Sequence, residues 1–184
     1  MIPLLMIPAS LALLGIWMVV AYNKLVRLRN MAQEAWSGVD VQLKRRVNLI
    51  PNLVETVKGY AAHEQKLLTR VTQLRQKSLA AGTVKEQEAV ENELSRALGG
   101  ILAVAEAYPD LKANQNFLDL SGQLAGVEEQ IQLARRYYNG AARNLNIAVE
   151  AVPTNILASL FHFSRMDFFE IEDPGDRALP QVKF

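Results

Sequence analysis

Reactive side chains are scarce in this chain, which has two histidines and no cysteine. Metal chemistry inside helical proteins draws on Glu-x-x-His pairs, and helical zinc sites on His-x-x-x-His. His63 has Tyr60 three residues before it and His162 has Ser159, so neither fits. His63-Glu64 reads as a surface or helix-interface pair. Without cysteine there are no disulfides, thiolate metal sites or cysteine nucleophiles. No phosphate-cradling glycine motif and no G-x-S-x-G elbow occurs. Gly99-Gly100 falls inside a helical pattern, where close helix packing is the expected use and a kink the alternative. No catalytic, metal-binding or cofactor-binding residue is assigned, and none of the three is expected.

Two charged residues stand where chemistry of another kind is expected. Glu128 and Arg135 are seven apart, at positions where a heptad-like pattern calls for apolar side chains. A buried charge costs several kcal/mol unless paired, so each would need a partner in a buried polar layer or a subunit interface. The alternative is a narrow core stripe from which both reach solvent. Lys44-Arg45-Arg46 invites a lipid-binding reading, but the helical rise from Lys24 to Lys44 is about 30 Å. That far exceeds a Debye length of about 8 Å. The cluster is expected to complement a helix C-terminus or to meet a subunit or partner.

The elements that must position these residues are helical throughout. Apolar residues recur at three and four in four series: Leu25 to Val47, Leu53 to Leu74, Val90 to Tyr108, and Phe117 to Leu145. Pro51 interrupts between the first two. Gly82 suits a helix C-terminus and Thr83 an N-cap. Pro109-Asp110 closes the third series. Four amphipathic helices with short connections predict an all-α protein, an antiparallel four-helix bundle over residues 24–150. The alternative keeps the first two series continuous through Pro51 as an extended hairpin. In the bundle, the turns near 47–51 and 108–114 would lie together at the end far from residue 23.

Residues 1–23 carry no charged side chain, and Lys24, Arg27 and Arg29 follow at once. About 20 apolar residues span the roughly 30 Å core of a bilayer. A transmembrane helix is expected over 1–23, with lipid contact through residues 2–22. A cleaved signal peptide and a buried core helix are the alternatives; the uncharged start and the all-round apolar surface argue against them. The basic flank predicts a single-pass inner-membrane protein with its C-terminal part in the cytoplasm. Net charge is +1, which argues against nucleic acid as a partner. Residues 151–169 are Phe-rich, a cap on the bundle end or, alternatively, an interfacial anchor. Residues 170–184 read as an acidic, disordered tail.

Several blocks resemble the LemA family. Gln42-Leu43-Lys44-Arg45-Arg46, Leu49-Ile50-Pro51-Asn52-Leu53-Val54 and Val57-Lys58-Gly59-Tyr60 are similar to its hallmark. Glu106 through Asn114 resembles a second block. Glu128, Ile131, Ala134-Arg135, Tyr138-Asn139 and Asn146 resemble a third. Pro153, Asn155 and Ala158 resemble the last. Together the blocks cover about residues 22–163, departing at Ala142, Leu145 and Val152. The resemblance implies a bacterial membrane protein with one N-terminal transmembrane helix, a cytoplasmic four-helix domain and no established enzymatic activity. Two of its blocks fall on the turns placed together above. Arg45, Arg46, Asn52, Glu106, Asp110 and Asn114 are therefore expected to build a polar joint that closes the bundle or mates with neighbours. The function expected is a membrane-anchored, non-enzymatic scaffold that self-associates as a homo-oligomer. The alternative is a signalling or chaperone-like adaptor for a partner membrane protein.

Overall fold

Strong helix formers carry the first element from Ile2 to Lys58 without a break (α1). It is followed by α2 (Gln65–Ala80), α3 (Val84–Ala107), α4 (Pro109–Lys112), α5 (Gln115–Glu150) and α6 (Thr154–Leu160). The computed structural model describes residues 2–170, with side chains from Pro8 onward. Among the described residues every regular element is a helix. The acidic tail expected from the sequence lies, apart from Glu170, outside the described residues.

The turn expected near 47–51 is absent, because α1 runs on through Pro51 to Lys58. Proline has no N–H to offer the carbonyl four residues earlier, here Val47. Arg75 of α2 supplies the missing donor, its Nε reaching the Val47 oxygen at 3.1 Å. The continuity through Pro51 that the alternative kept is present, but the chain turns at 59–64 and the rest of the second series forms a separate helix.

The later boundaries follow local chemistry. Thr83 caps α3 in a reciprocal capping box. Its hydroxyl accepts from the Glu86 N–H at 3.2 Å, and its own N–H donates to Glu86 Oε2 at 3.1 Å. Gly82 is no left-handed cap, since no described glycine has a positive φ and Ala81 ends α2 in an extended conformation. Tyr108, at φ −122° and ψ 88°, leaves the helical region before Pro109, as a residue preceding proline is biased to do, and α3 ends there. Asn114 caps α5, its Oδ1 accepting from the Phe117 N–H at 3.0 Å. Of the paired glycines, Gly100 is the packing residue: a Cβ there would stand 3.3 Å from Leu67 Cδ1, whereas Gly99 faces open space.

The chain divides into two compact units whose boundaries fall inside α1 and α5. Of the described residues, one comprises 39–135 with 169–170. Its core draws Ile50, Leu53 and Val57 from α1, Leu68, Val71 and Leu74 from α2, and Leu94, Leu98 and Ile101 from α3. Leu111, Phe117 and Leu120 complete it. The other comprises residues 1–38 and 136–168. There Ala21 and Leu25 pack with Ala148, Leu157, Ala158 and Phe163.

Candidate functional site

Extending the core stripes of unit 39–135 residue by residue locates its site. On α1 the buried positions include Val39, Leu43, Arg46, Ile50, Leu53 and Val57, a stripe at alternating steps of four and three, with Val47 buried beside it. On α2 they run Val71, Leu74, Ser78, and on α3 Gln87, Glu91, Leu94, Leu98, Ile101. Arg46, Ser78 and Glu91 thus hold core register on three different helices. They meet.

Arg46, 1% exposed, pairs with Glu91, 0% exposed, through Nη2 and Oε2. Its Nη1 donates to Ser95 Oγ at 2.9 Å and to Glu128 Oε2 at 2.6 Å. The other Glu91 oxygen accepts from the Ser78 hydroxyl and from Gln87 Nε2, the latter at 2.7 Å. Gln87 also donates to Ser78 Oγ at 3.1 Å. Arg46 Nε is buried with no hydrogen-bond partner. Each Glu91 oxygen is taken by a donor of the protein itself. The cluster therefore locks α1, α2, α3 and α5 to one another, and breaking such a pair by deleting one member costs about 3–5 kcal/mol. Among the described residues no three His, Asp or Glu side chains converge as a metal would require.

Glu128 has its partner, and it is Arg46 rather than a residue of its own helix. Arg135 is half-buried and engaged. The six residues grouped from the sequence separate. Arg46 lies in the cluster, far from the end of α1. Arg45 is exposed and donates to Gln42 Oε1 on its own helix. Asn52 is exposed, and its carbonyl accepts from the Thr56 hydroxyl at 2.8 Å. Glu106 pairs with Lys112 at 2.6 Å, bridging the α3–α4 corner. Asp110 is exposed in the first turn of α4. Asn114 reaches Tyr60 Oη at 2.9 Å and so joins the 59–64 turn to the segment before α5.

Glu91, Ser78 and Gln87 were missed by the sequence reading. The signal was present: Glu91 stands three residues before Leu94 on the α3 stripe, but the third series was begun at Val90.

In unit 1–38 with 136–168, a second set of polar contacts ties down the extended chain after α6. The Asn146 amide donates to the Met166 carbonyl at 2.9 Å and accepts from the Met166 N–H at 2.8 Å. The Tyr138 hydroxyl donates to the Asp167 carbonyl at 2.7 Å, and its ring lies 5.1 Å from Trp36. Burial, with the Asp167 charge beside it, pushes the Tyr138 phenol up to about 12. Hydrogen bonds from the Gly82 and Thr83 backbone hold the Glu86 carboxyl below its usual range.

A helix long and apolar enough to cross a membrane, running on into a helical fold with a buried charge cluster, defines a class of all-α proteins. Within it, the sequence model of the LemA family matches residues 35–184, and the chain belongs to that family. Magnetosome protein MamQ of Magnetospirillum gryphiswaldense is 25% identical across 88% of this chain and 70% of the relative. MamQ 2 of Paramagnetospirillum magneticum is 26% identical with the same coverage. Protein LemA of Metamycoplasma hominis is 28% identical across 82% of this chain and 69% of the relative.

Proposed function

We propose that this protein is a membrane-anchored, non-enzymatic scaffold that self-associates at the cytoplasmic face of a bacterial membrane. The observation that carries the reading is the surface of early α1. Leu11, Leu13, Leu14, Ile16, Val19 and Val20 are all exposed, on every side of the helix. A soluble core helix hides such residues, whereas lipid accepts them. Lys24, Arg27 and Arg29 at the exit of the run support a single pass with the remainder in the cytoplasm. Core residues contributed by α1, α2, α3 and α5 support an antiparallel four-helix bundle within residues 39–135. The inward-turned Arg46 cluster supports a structural rather than a chemical role for its polar residues. Val41, Leu79, Leu102 and Leu118 are exposed apolar side chains that a second copy would cover in this reading.

Sizing of the full-length protein in detergent across a concentration series tests the scaffold. Higher-order species are expected; a monomer at every concentration overturns self-association. Membranes washed with alkaline carbonate test the anchor, which is expected to stay in the pellet. Release into the supernatant would sink it. An adaptor for a partner membrane protein predicts instead that Arg45→Ala or Asp110→Ala abolishes partner capture while the sizing profile is unchanged. Both side chains are exposed, so neither change disturbs the core.

A further inference from the structure

We propose that α6 and its flanks form a second membrane contact, an apolar foot lying in the lipid interface beside the point where α1 leaves the bilayer. The inference rests on the membrane reading above and extends it to a segment of chain far from the anchor in sequence.

α6 has two apolar faces. Leu157 and Ala158 are buried against Ala21 and Leu25. On the opposite side Ile156 and Leu160, one turn apart, are each 66% exposed, with Val152 just before the helix 81% exposed and Phe161 just after it exposed as well. A helix of seven residues gains nothing in water from a second apolar row.

The position of that row is fixed by ring contacts. Phe161 lies 4.8 Å from Tyr22 and Phe163 lies 5.8 Å from it, both edge-on. Tyr22 stands at the end of the uncharged run, where aromatic side chains mark the headgroup level. Trp17, within the run itself, packs on the same cluster as Leu157 and Phe163. Five residues of helix rise about 7.5 Å, within the 5–10 Å depth at which an interfacial helix buries its apolar face. Cations ring the site: Lys24, Arg27 and Arg29 are exposed on α1, and the Arg29 guanidinium lies 5.0 Å over the Phe163 ring. Apolar row, aromatic belt and basic rim together match the boundary of an anionic leaflet. A second copy is the other conceivable cover. Four side chains offer it a few hundred Å² at most, against about 800 Å² per partner in a stable interface.

The chain has no cysteine, so a single introduced one is unique. Full-length Leu14→Cys, Asn48→Cys, Ile156→Cys and Leu160→Cys, each labelled with the environment-sensitive fluorophore NBD, are reconstituted into phosphatidylcholine–phosphatidylglycerol vesicles. Lipids carrying a doxyl quencher near the headgroup or deep in the acyl chain are then substituted. The expected result is quenching of Leu14→Cys by the deep quencher and of Ile156→Cys and Leu160→Cys by the shallow one. Asn48→Cys, about 39 Å of helix beyond Tyr22, stays bright with both. Quenching at position 14 with none at 156 and 160 overturns the foot and leaves the anchor standing. No quenching at position 14 overturns both. Energy transfer between labelled copies at 156, without doxyl quenching there, assigns the row to a second copy and overturns the lipid contact.

Discussion

Arg46 and Glu91 illustrate how much depends on a pair rather than on either partner. Glu91→Ala takes from Arg46 its fully buried carboxylate, leaving Glu128 as its remaining charge partner, and leaves Ser78 and Gln87 only each other, so a loss toward the low end of about 3–5 kcal/mol is expected. Replacing both with apolar residues, Arg46→Met with Glu91→Leu, removes the two buried charges together and leaves Glu128, at 37% exposure, to reach solvent, so it should recover much of that loss. Thermal unfolding of the two variants compares them directly, and a Glu91→Ala protein that melts like the parent refutes the assignment. Tyr138 makes a prediction in pH. Its phenol is pushed up to about 12 in the fold, while an unfolded tyrosine titrates near 10. Below about pH 10 both states hold the proton and the contribution is complete. Above it the unfolded chain ionises first, and stability falls until the folded phenol ionises as well. Tyr138→Phe should lack that alkaline component. An equal alkaline decline in both proteins contradicts the assignment.

At the scale of the element, α1 shows why a proline misled a reading of periodicity. Pro51 normally marks an end, because the carbonyl four residues earlier is left without a donor. Here the donor comes from Arg75, on another helix and well removed in sequence, and no local pattern reveals it. A double-mutant cycle tests the exchange. Arg75→Ala alone leaves the Val47 oxygen short of a partner, at a cost of about 1–3 kcal/mol. In a Pro51→Ala background, where the backbone N–H returns, the same change should cost clearly less. Additive losses would show that the contact does not serve this purpose. The end of α6 makes a second prediction. His162 has φ of 55°, the left-handed position that glycine usually fills. His162 N–H bonds to the Ser159 carbonyl and Phe163 N–H to that of Ala158, the pattern of a Schellman close. His162→Gly should raise stability by about 1 kcal/mol, since an L side chain is disfavoured there. A lower melting temperature would mean that the imidazole makes a contact worth more than the backbone strain. Elements whose causes are local were legible in advance. Thr83 as a cap and Pro109 as a stop are decided by neighbours a few residues away. Glu128 was legible as a residue needing a partner, but not which one, because Arg46 approaches from a separate helix.

For the whole molecule, sequence reached the all-helical class and the apolar N-terminal helix, since composition and periodicity carry both. It did not reach the division into two units, which depends on contacts between distant segments. The cluster of one unit lies wholly between Ile50 and Leu120, whereas that of the other joins Ala21 and Leu25 to Ala148, Leu157 and Phe163. This has a consequence for synthesis. A ribosome adds roughly 5–20 residues per second. When residue 120 has emerged, every residue of the first cluster is available to fold, while Leu25 still awaits partners several seconds from translation. In the membrane reading, the apolar run is thus free to enter the bilayer well before its own chain can cover the helix just below it. Chains truncated after residue 130 and after residue 170, and released from the ribosome, should differ accordingly. Both would be inserted, but a protease should cut next to Leu25 only in the shorter. Residues 148–163, made late, complete the packing around residues 21–25, made early.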